Sequence, residues 1–287
     1  MAKSRIPETV VRFYGKGEYA LDLLAKKRVA FIHISQMNDP FDPYLFFETD
    51  FGEKYDLLLD YVSKRHPDDL AGFKAVCPVE HWEESLQKIV SYMKCMEDST
   101  FMLSTSAPLD NCLPRDNLYM WGHYGNGHRG VAVEFNTKDL SAFALDKKQT
   151  ISESENGWLK VSYDNKLKPI DRRAIYEFYM MADDAARLRS NLINYFNAFL
   201  MTKSTVWRSE NEWRLLWRND ETDLKYHYAD IGDGAIRAVY IGLRSSDALK
   251  NEVVSIASKN FPNAHIFKAK KLFGAFGLEF ARVQIAG

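Results

Sequence analysis

A glycine-rich loop limits the fold before any other feature does. Trp121-Gly122-His123-Tyr124-Gly125-Asn126-Gly127-His128-Arg129-Gly130 runs straight into the apolar stretch Val131-Ala132-Val133-Glu134-Phe135. Gly125, Gly127 and Gly130 spell G-x-G-x-x-G. The dinucleotide fingerprint, however, follows a strand and opens a helix, whereas this one opens a strand, so the doubly wound reading of these glycines is rejected. Two readings remain. One is a tight loop whose missing Cβ atoms let the backbone approach a ligand. The other is a glycine-rich hairpin turn carrying solvated histidines.

The rest of the chain mixes helix and strand signals without regular alternation, which favours α+β: a single domain over 1–287, with a mixed, strongly bent sheet and flanking helices. Strands are expected at 10–14, 29–34, from 101 to 104, and at 131–135, 158–163, 212–217, 235–241, 264–268 and 278–285. Helices are expected at 18–27, 54–66, 80–97 and 246–259. A pattern rich in Tyr, Phe, Met and Leu, free of Pro and Gly, runs from Ile170 to Thr202 within a helical segment of about 165–205. It reads as a long central helix packed on a sheet face. Asn38-Asp39-Pro40-Phe41-Asp42-Pro43 reads as a turn fixed by its two prolines, with Phe41 pinning it and Asp39 either structural or functional. The segment around 146–157 reads as an exposed loop.

A net charge of −1 gives no support, from totals alone, to a nucleic-acid or anionic-membrane partner. Cys77, Cys95 and Cys112 are an odd count with no C-x-x-C pair, against a disulfide scaffold or a structural zinc site. The first residues lack an apolar signal region, and no run reaches a membrane span. These features lead us to expect a soluble, cytoplasmic protein without a membrane partner. No Gly-x-Ser-x-Gly and no Walker-type loop occurs.

Two segments carry candidate chemistry. Lys203 to Arg214 gathers Lys203, Arg208, Arg214, Glu210, Glu212, Trp207 and Trp213. If 210–214 is extended, Glu210, Glu212 and Arg214 share one face and Asn211 and Trp213 the other, with Trp213, Leu215 and Trp217 alternating as a buried face. Such a charged row orients ribose hydroxyls or stabilises a cationic transition state; as a solvated ion-pair ladder it would do neither. Phe101 to Ser106 is a strand ending in three hydroxyls, Ser104, Thr105 and Ser106, which either cap a turn or line a nucleotide pocket.

Taken in order, Asn38–Asp42, Ser104–Ser106, Met120–Tyr124 with Gly130–Phe135, Lys203–Arg214 and Val239-Tyr240-Ile241-Gly242 resemble the bacterial family called domain of unknown function 2971, from about residue 10 to residue 285. That family supplies a pattern without an established reaction. A second likeness is to ADP-ribosyltransferases of the arginine–serine–glutamate type, carried by Arg12, Ser104-Thr105-Ser106 and Glu210-Asn211-Glu212, with the 170–202 helix as an insertion. Glu153-Ser154-Glu155 also has the Glu-x-Glu form. This likeness implies NAD as substrate and no metal. Arg12 and Tyr14 would bind the cofactor; Ser104 and Ser106 would position it. Glu212 would be the key carboxylate, with Glu210 guiding the acceptor. Trp121, His123, Tyr124, the 125–130 loop and Arg214 would complete the pocket. The implied product is an ADP-ribosylated macromolecule, protein or nucleic acid, or hydrolysed NAD, an activity that suits a toxin or antiphage effector. Two other classes stay open: a non-catalytic nucleotide or RNA sensor, and a metal-dependent nuclease built on Asp39, Asp42 and Glu134 with Lys138 or Lys203.

Overall fold

The computed structural model describes residues 5–42, 55–109, 112–144, 157–166, 171–180, 196–218 and 224–284. Its centre is a ten-stranded mixed sheet. In chain order the strands are β1 (Thr9–Tyr14), β2 (Arg28–His33), β3 (Thr100–Ser106), β4 (Val131–Asn136), β5 (Trp158–Lys160), β8 (Glu212–Arg218), β9 (Tyr226–Asp230), β10 (Ile236–Ile241), β11 (His265–Lys271) and β12 (Leu278–Arg282). A separate parallel pair joins β6 (Ser162–Tyr163) to β7 (Thr202–Lys203). The path runs β12-β11-β10-β4-β1-β3-β2-β9, with β8 on β3 and β5 on β8. Among the described residues only β10 and β11 pair in parallel within it. Mixed sheet and helices together make an α+β fold.

Period-2 alternation in the strands sorts the side chains between two faces. On the first face, Val10 and Tyr14 of β1, Phe101 and Leu103 of β3, Val131, Val133 and Phe135 of β4, and Trp213, Leu215 and Trp217 of β8 form one core. Helices α1 (Gly17–Lys26) and α8 (Asp247–Asn260) cover it through Leu23, Leu24, Val253 and Ala257. Each such aliphatic or aromatic side chain contributes about 1.5–3 kcal/mol by leaving water. The expected apolar stripe of β8 is therefore as the alternation predicted. Helix ends are set by ordinary signals: Ser246 Oγ accepts from Leu249 N–H at the start of α8, and α1 stops at Lys27, which takes a left-handed φ of 50°.

The second face carries two apolar clusters. Helices α2 (Tyr55–Arg65), α3 (Leu70–Val76), α4 (Trp82–Asp98) and α7 (Arg172–Met180), with helical residues 196–200, pack over Met102 and Leu216. Further along, Val11, Phe13, Trp121, Ala132, Ala238 and Tyr240 form the other cluster. Between them lie Ser104, Ser106, Glu212 and Arg214, whose register (Ser104 beside Arg214, Ser106 beside Glu212) puts four polar residues on one patch of an otherwise apolar face.

Several expectations need correction. The helix expected over 170–202 is seen as α7 and residues 196–200, with 181–195 outside the described residues, and it shares its sheet face with α2–α4. The 146–157 segment, including Glu153 and Glu155, also lies outside them up to residue 156. Trp121 to His123 belong to helix α5 (Leu118–His123), capped by Asn117, whose side chain accepts from Tyr119 and Met120 N–H. Phe41 is largely exposed; the Asp39 carboxylate fixes the turn by accepting from Phe41 N–H at 2.9 Å. Helices α3 and α6 (Thr137–Ala144) and strand β9 were not expected.

Candidate functional site

One edge of β3 is paired with β8 along its whole length. On the other edge β1 meets it only at Ser106, opposite Val11, while β2 meets it at Phe101 and Met102. Strands β1 and β2 therefore diverge across residues 103–105, and the gap opens a cleft of about 240 Å³. Arg12, Ser104, Ser106, Tyr124, Lys203, Glu210 and Glu212 all line it, with Gln36, Met37, Asn38 and Met120 among the other walls.

Glu210 and Glu212 reach the same place by different routes. Residues Thr205–Glu210 form a 3₁₀ helix, and Asn211 then takes a left-handed φ of 41° before β8 begins. Asparagine tolerates this conformation. Its side-chain amide donates to the carbonyls of Ala107 and Pro108, locking the corner against the end of β3. Glu210 is thus not part of the strand, contrary to the extended reading. Its carboxylate instead folds back to accept from Lys203 Nζ at 2.8 Å and from Tyr124 Oη at 2.6 Å. Tyr124 is delivered by α5, whose cap residue Asn117 also donates to Ser209 O.

Behind the cleft the charges form a closed cluster. Arg214 donates through Nε to Glu212 Oε1 (2.8 Å), through Nη2 to Glu212 Oε2 (3.0 Å) and to Asp42 Oδ2, and through Nη1 to Leu200 O. Lys203 Nζ lies 3.3 Å from Glu212 Oε2 and 3.4 Å from Asp42 Oδ2. All five residues are buried, which overturns the solvated ladder. Three acids against two bases leave one negative charge in excess when all are ionised.

Burial alone would raise the Glu212 carboxyl, but the charge and hydrogen bonds of Arg214, with Lys203, hold it at about 2. Burial dominates at Glu210 and raises its carboxyl above the ordinary value despite Lys203 and Tyr124. Burial works to lower the Lys203 ammonium, and the surrounding carboxylates outweigh it and raise it. Glu212 is thus a fixed anion, and Glu210 a carboxylate that takes up a proton more readily.

Arg12 stands on the opposite wall. Its one hydrogen bond among the described residues is a long contact, 3.4 Å, from Nη1 to Ala30 O across the β1–β2 gap. No carboxylate engages it among the described residues, and its guanidinium carbon lies 5.6 Å from the centre of the Tyr14 ring. Beside Tyr124, with ring centres 5.0 Å apart, His123 stacks on Tyr119 at 5.5 Å and meets Trp207 edge-on at 5.3 Å. Trp207 is in turn anchored to Asp39 through Nε1 at 2.7 Å.

The cleft therefore collects Arg12, Ser104, Ser106, Tyr124, Glu210 and Glu212, and His123 packs beside Tyr124. It does not collect the others. Tyr14 is buried in the first core, with its hydroxyl pushed up to about 12 by desolvation. Trp121 is fully buried, its Nε1 donating to Arg115 O. Arg214 lies behind Glu212, holds it in place and has no exposed surface, so it positions a carboxylate. At two positions of the 125–130 loop the missing Cβ makes room for protein backbone: a Cβ on Gly130 would lie 2.1 Å from Tyr14 O, and one on Gly125 would lie 2.7 Å from Trp121 O. The nuclease set is also dispersed. Asp42 belongs to the ion cluster, Asp39 binds Trp207, and Glu134 accepts from Tyr240 Oη on the far cluster. Among the described residues no three acidic, His or Cys side chains come together as a metal site. Lys203 is the central residue that motif reading undervalued; its partners only become visible through long-range pairing.

Residues 120–215 match the family model described as Protein of unknown function (DUF2971). Over that segment the chain is similar to the DUF2971 family. The DUF2971 segment supplies Tyr124, Lys203, Glu210, Glu212 and Arg214, whereas Arg12, Ser104, Ser106 and Asp42 come from before it. No curated protein and no solved structure matches the chain. Among the described residues no helix is long and apolar enough to cross a membrane, and the three cysteines are free.

Proposed function

We propose that the cleft binds NAD and breaks its nicotinamide–ribose bond, passing ADP-ribose to a macromolecule or to water. The observation that carries this reading is the charge polarity of one small cleft. An arginine with no carboxylate partner among the described residues lines the β1 side, and Glu210 and Glu212, part of a buried cluster with one acid in excess, line the other. NAD has the matching polarity: an anionic pyrophosphate suited to a guanidinium fork, and a cationic nicotinamide ring whose departure generates an oxocarbenium-like ribose.

In this reading Arg12 binds the pyrophosphate, and Ser104 and Ser106 orient the nicotinamide–ribose end. Glu212, fixed as an anion by Arg214, faces the positive charge that develops at C1′. The C1′–N1 bond breaks with its electron pair leaving on nicotinamide. The acceptor's oxygen or nitrogen then bonds to C1′ and its proton passes to Glu210. The cleft is smaller than the roughly 300–1,000 Å³ of a typical ligand pocket, so the adenosine end lies along the outside, where the Tyr119–His123–Trp207 cluster offers ring faces. A role as a toxin or antiphage effector fits such chemistry and rests on the family resemblance.

Titration of NAD into wild-type protein and Arg12→Ala, with turnover followed in parallel, tests the assignment. Saturable binding that weakens in Arg12→Ala supports it. Tight binding without turnover would replace the enzyme by a nucleotide sensor using the same groups. Absence of binding would remove NAD from the cleft.

A further inference from the structure

The β11–β12 hairpin carries a feature that the cleft does not explain. Between Lys271 and Glu279 the chain reads Leu272-Phe273-Gly274-Ala275-Phe276-Gly277-Leu278, without one polar side chain. The turn is closed by Leu272 N–H donating to Gly277 O at 3.1 Å, and Gly274 takes a φ of 73°, which glycine allows. Phe273 is 100% exposed and Phe276 103% exposed, and Leu272 is also exposed. Loops at a sheet edge are ordinarily polar, and two phenylalanines with no protein contact at a hairpin tip are costly unless something else receives them. β12 is the outermost strand, so the tip projects from the edge of the sheet.

We propose that this hairpin is a membrane-contact element that seats Phe273, Phe276 and Leu272 in the interface of an anionic bilayer. The shape is convex, so it cannot itself enclose a ligand; it has to enter something yielding. Directly behind the tip, Lys270 and Lys271 are exposed at the end of β11, with the exposed Glu279 opposite Lys270; Arg282 lies at the far end of β12, opposite Phe267. That is an apolar point backed by two adjacent lysines, one of them facing a glutamate, at the level where phosphate headgroups would lie. Two cations against one acid are few for a nucleic-acid ribbon, whose affinity depends on many phosphate contacts, whereas apolar insertion needs only a modest electrostatic supplement. The overall charge of −1 conceals this local asymmetry. The contact is peripheral and is independent of the chemistry in the cleft.

The experiment is vesicle co-sedimentation of the full chain with phosphatidylcholine alone and with phosphatidylcholine plus phosphatidylserine, for wild type, Phe273→Ser/Phe276→Ser and Lys270→Glu/Lys271→Glu. Because these side chains are exposed, thermal melts should coincide with wild type and show that any loss is not unfolding. The expected result is binding of wild type to the phosphatidylserine vesicles, reduced about tenfold or more by either double variant, and weaker on phosphatidylcholine alone. Absence of wild-type binding to the anionic vesicles, or equal binding by the Phe273→Ser/Phe276→Ser variant, overturns the proposal. So does a gel shift of duplex or single-stranded DNA that is lost in that variant while vesicles are ignored, which would make the tip a nucleic-acid wedge.

Discussion

Removing the Arg214 side chain while keeping its bulk, as in Arg214→Met, isolates what holds the carboxylate wall together. Arg214 is wholly buried and supplies the Glu212 carboxylate with two hydrogen bonds, at 2.8 and 3.0 Å. It also neutralises Asp42 and satisfies Leu200 O. Without it the cluster holds three acids and only Lys203, which sits 3.4 Å from Asp42. Stranding a buried charge by deleting one partner costs about 3–5 kcal/mol, a large share of a total stability of about 5–15 kcal/mol. For a chain of this size that is a fall in melting temperature on the order of 10 °C.

The loss also has a pH signature. Glu212 is held at about 2 against an ordinary 4.5. A depressed carboxyl contributes stability that is present above the ordinary value and lost as pH falls toward the folded-state value. The variant lacks this contribution, so the two stability curves should converge as pH falls from about 4.5 toward about 2. Urea unfolding of both proteins across this range reads the gap directly. A variant as stable as wild type at neutral pH, or a gap that does not narrow on acidification, would refute the account of a closed ion cluster.

Other perturbations separate the parts of the site. Arg12→Ala should lower the melting temperature by only a few degrees, because its one hydrogen bond among the described residues is long and its other contact is with the Tyr14 ring, yet weaken NAD binding by about 10- to 100-fold in a calorimetric titration, the range of a lost charge-assisted contact. Burial raises the Glu210 carboxyl, so the acidic limb of a pH–rate profile should lie above 4.5, activity rising as Glu210 ionises. Tyr124→Phe removes a hydrogen bond that favours the anion and should move that limb higher still. Gly130→Ala drives a Cβ to 2.1 Å from Tyr14 O and should destabilise the fold by about 1–3 kcal/mol or more, measured by thermal melting, without a specific effect on binding.

Strands and helices were legible wherever burial imposes a period. Trp213, Leu215 and Trp217 announce one face of β8 because every second residue must reach the core, and Ser246 announces the start of α8 because its hydroxyl caps an exposed N–H. The site was legible in its parts: Arg12, Ser104, Ser106, Glu210 and Glu212 do line one cleft. Its architecture was not, because the cleft arises from the divergence of β1 and β2 on β3, a pairing that no local pattern encodes. Arg214 looked like a cofactor ligand because its partner Asp42 lies 172 residues away. The glycines at 125 and 130 looked like ligand-facing positions because a sequence cannot say whether a missing Cβ makes room for a ligand or for another strand's backbone. Asn211 hides a left-handed corner inside what alternation reads as a strand.

The central claim is tested most directly by nicotinamide release from NAD, measured for purified wild-type protein beside Glu212→Gln, with the fold of both checked by circular dichroism. Glutamine is the better probe because alanine would also leave Arg214 buried without its main partner. The account predicts release by wild type and its loss, with binding retained, in Glu212→Gln. Equal release by the two folded proteins, or none by wild type even with candidate protein and nucleic-acid acceptors supplied, would contradict it.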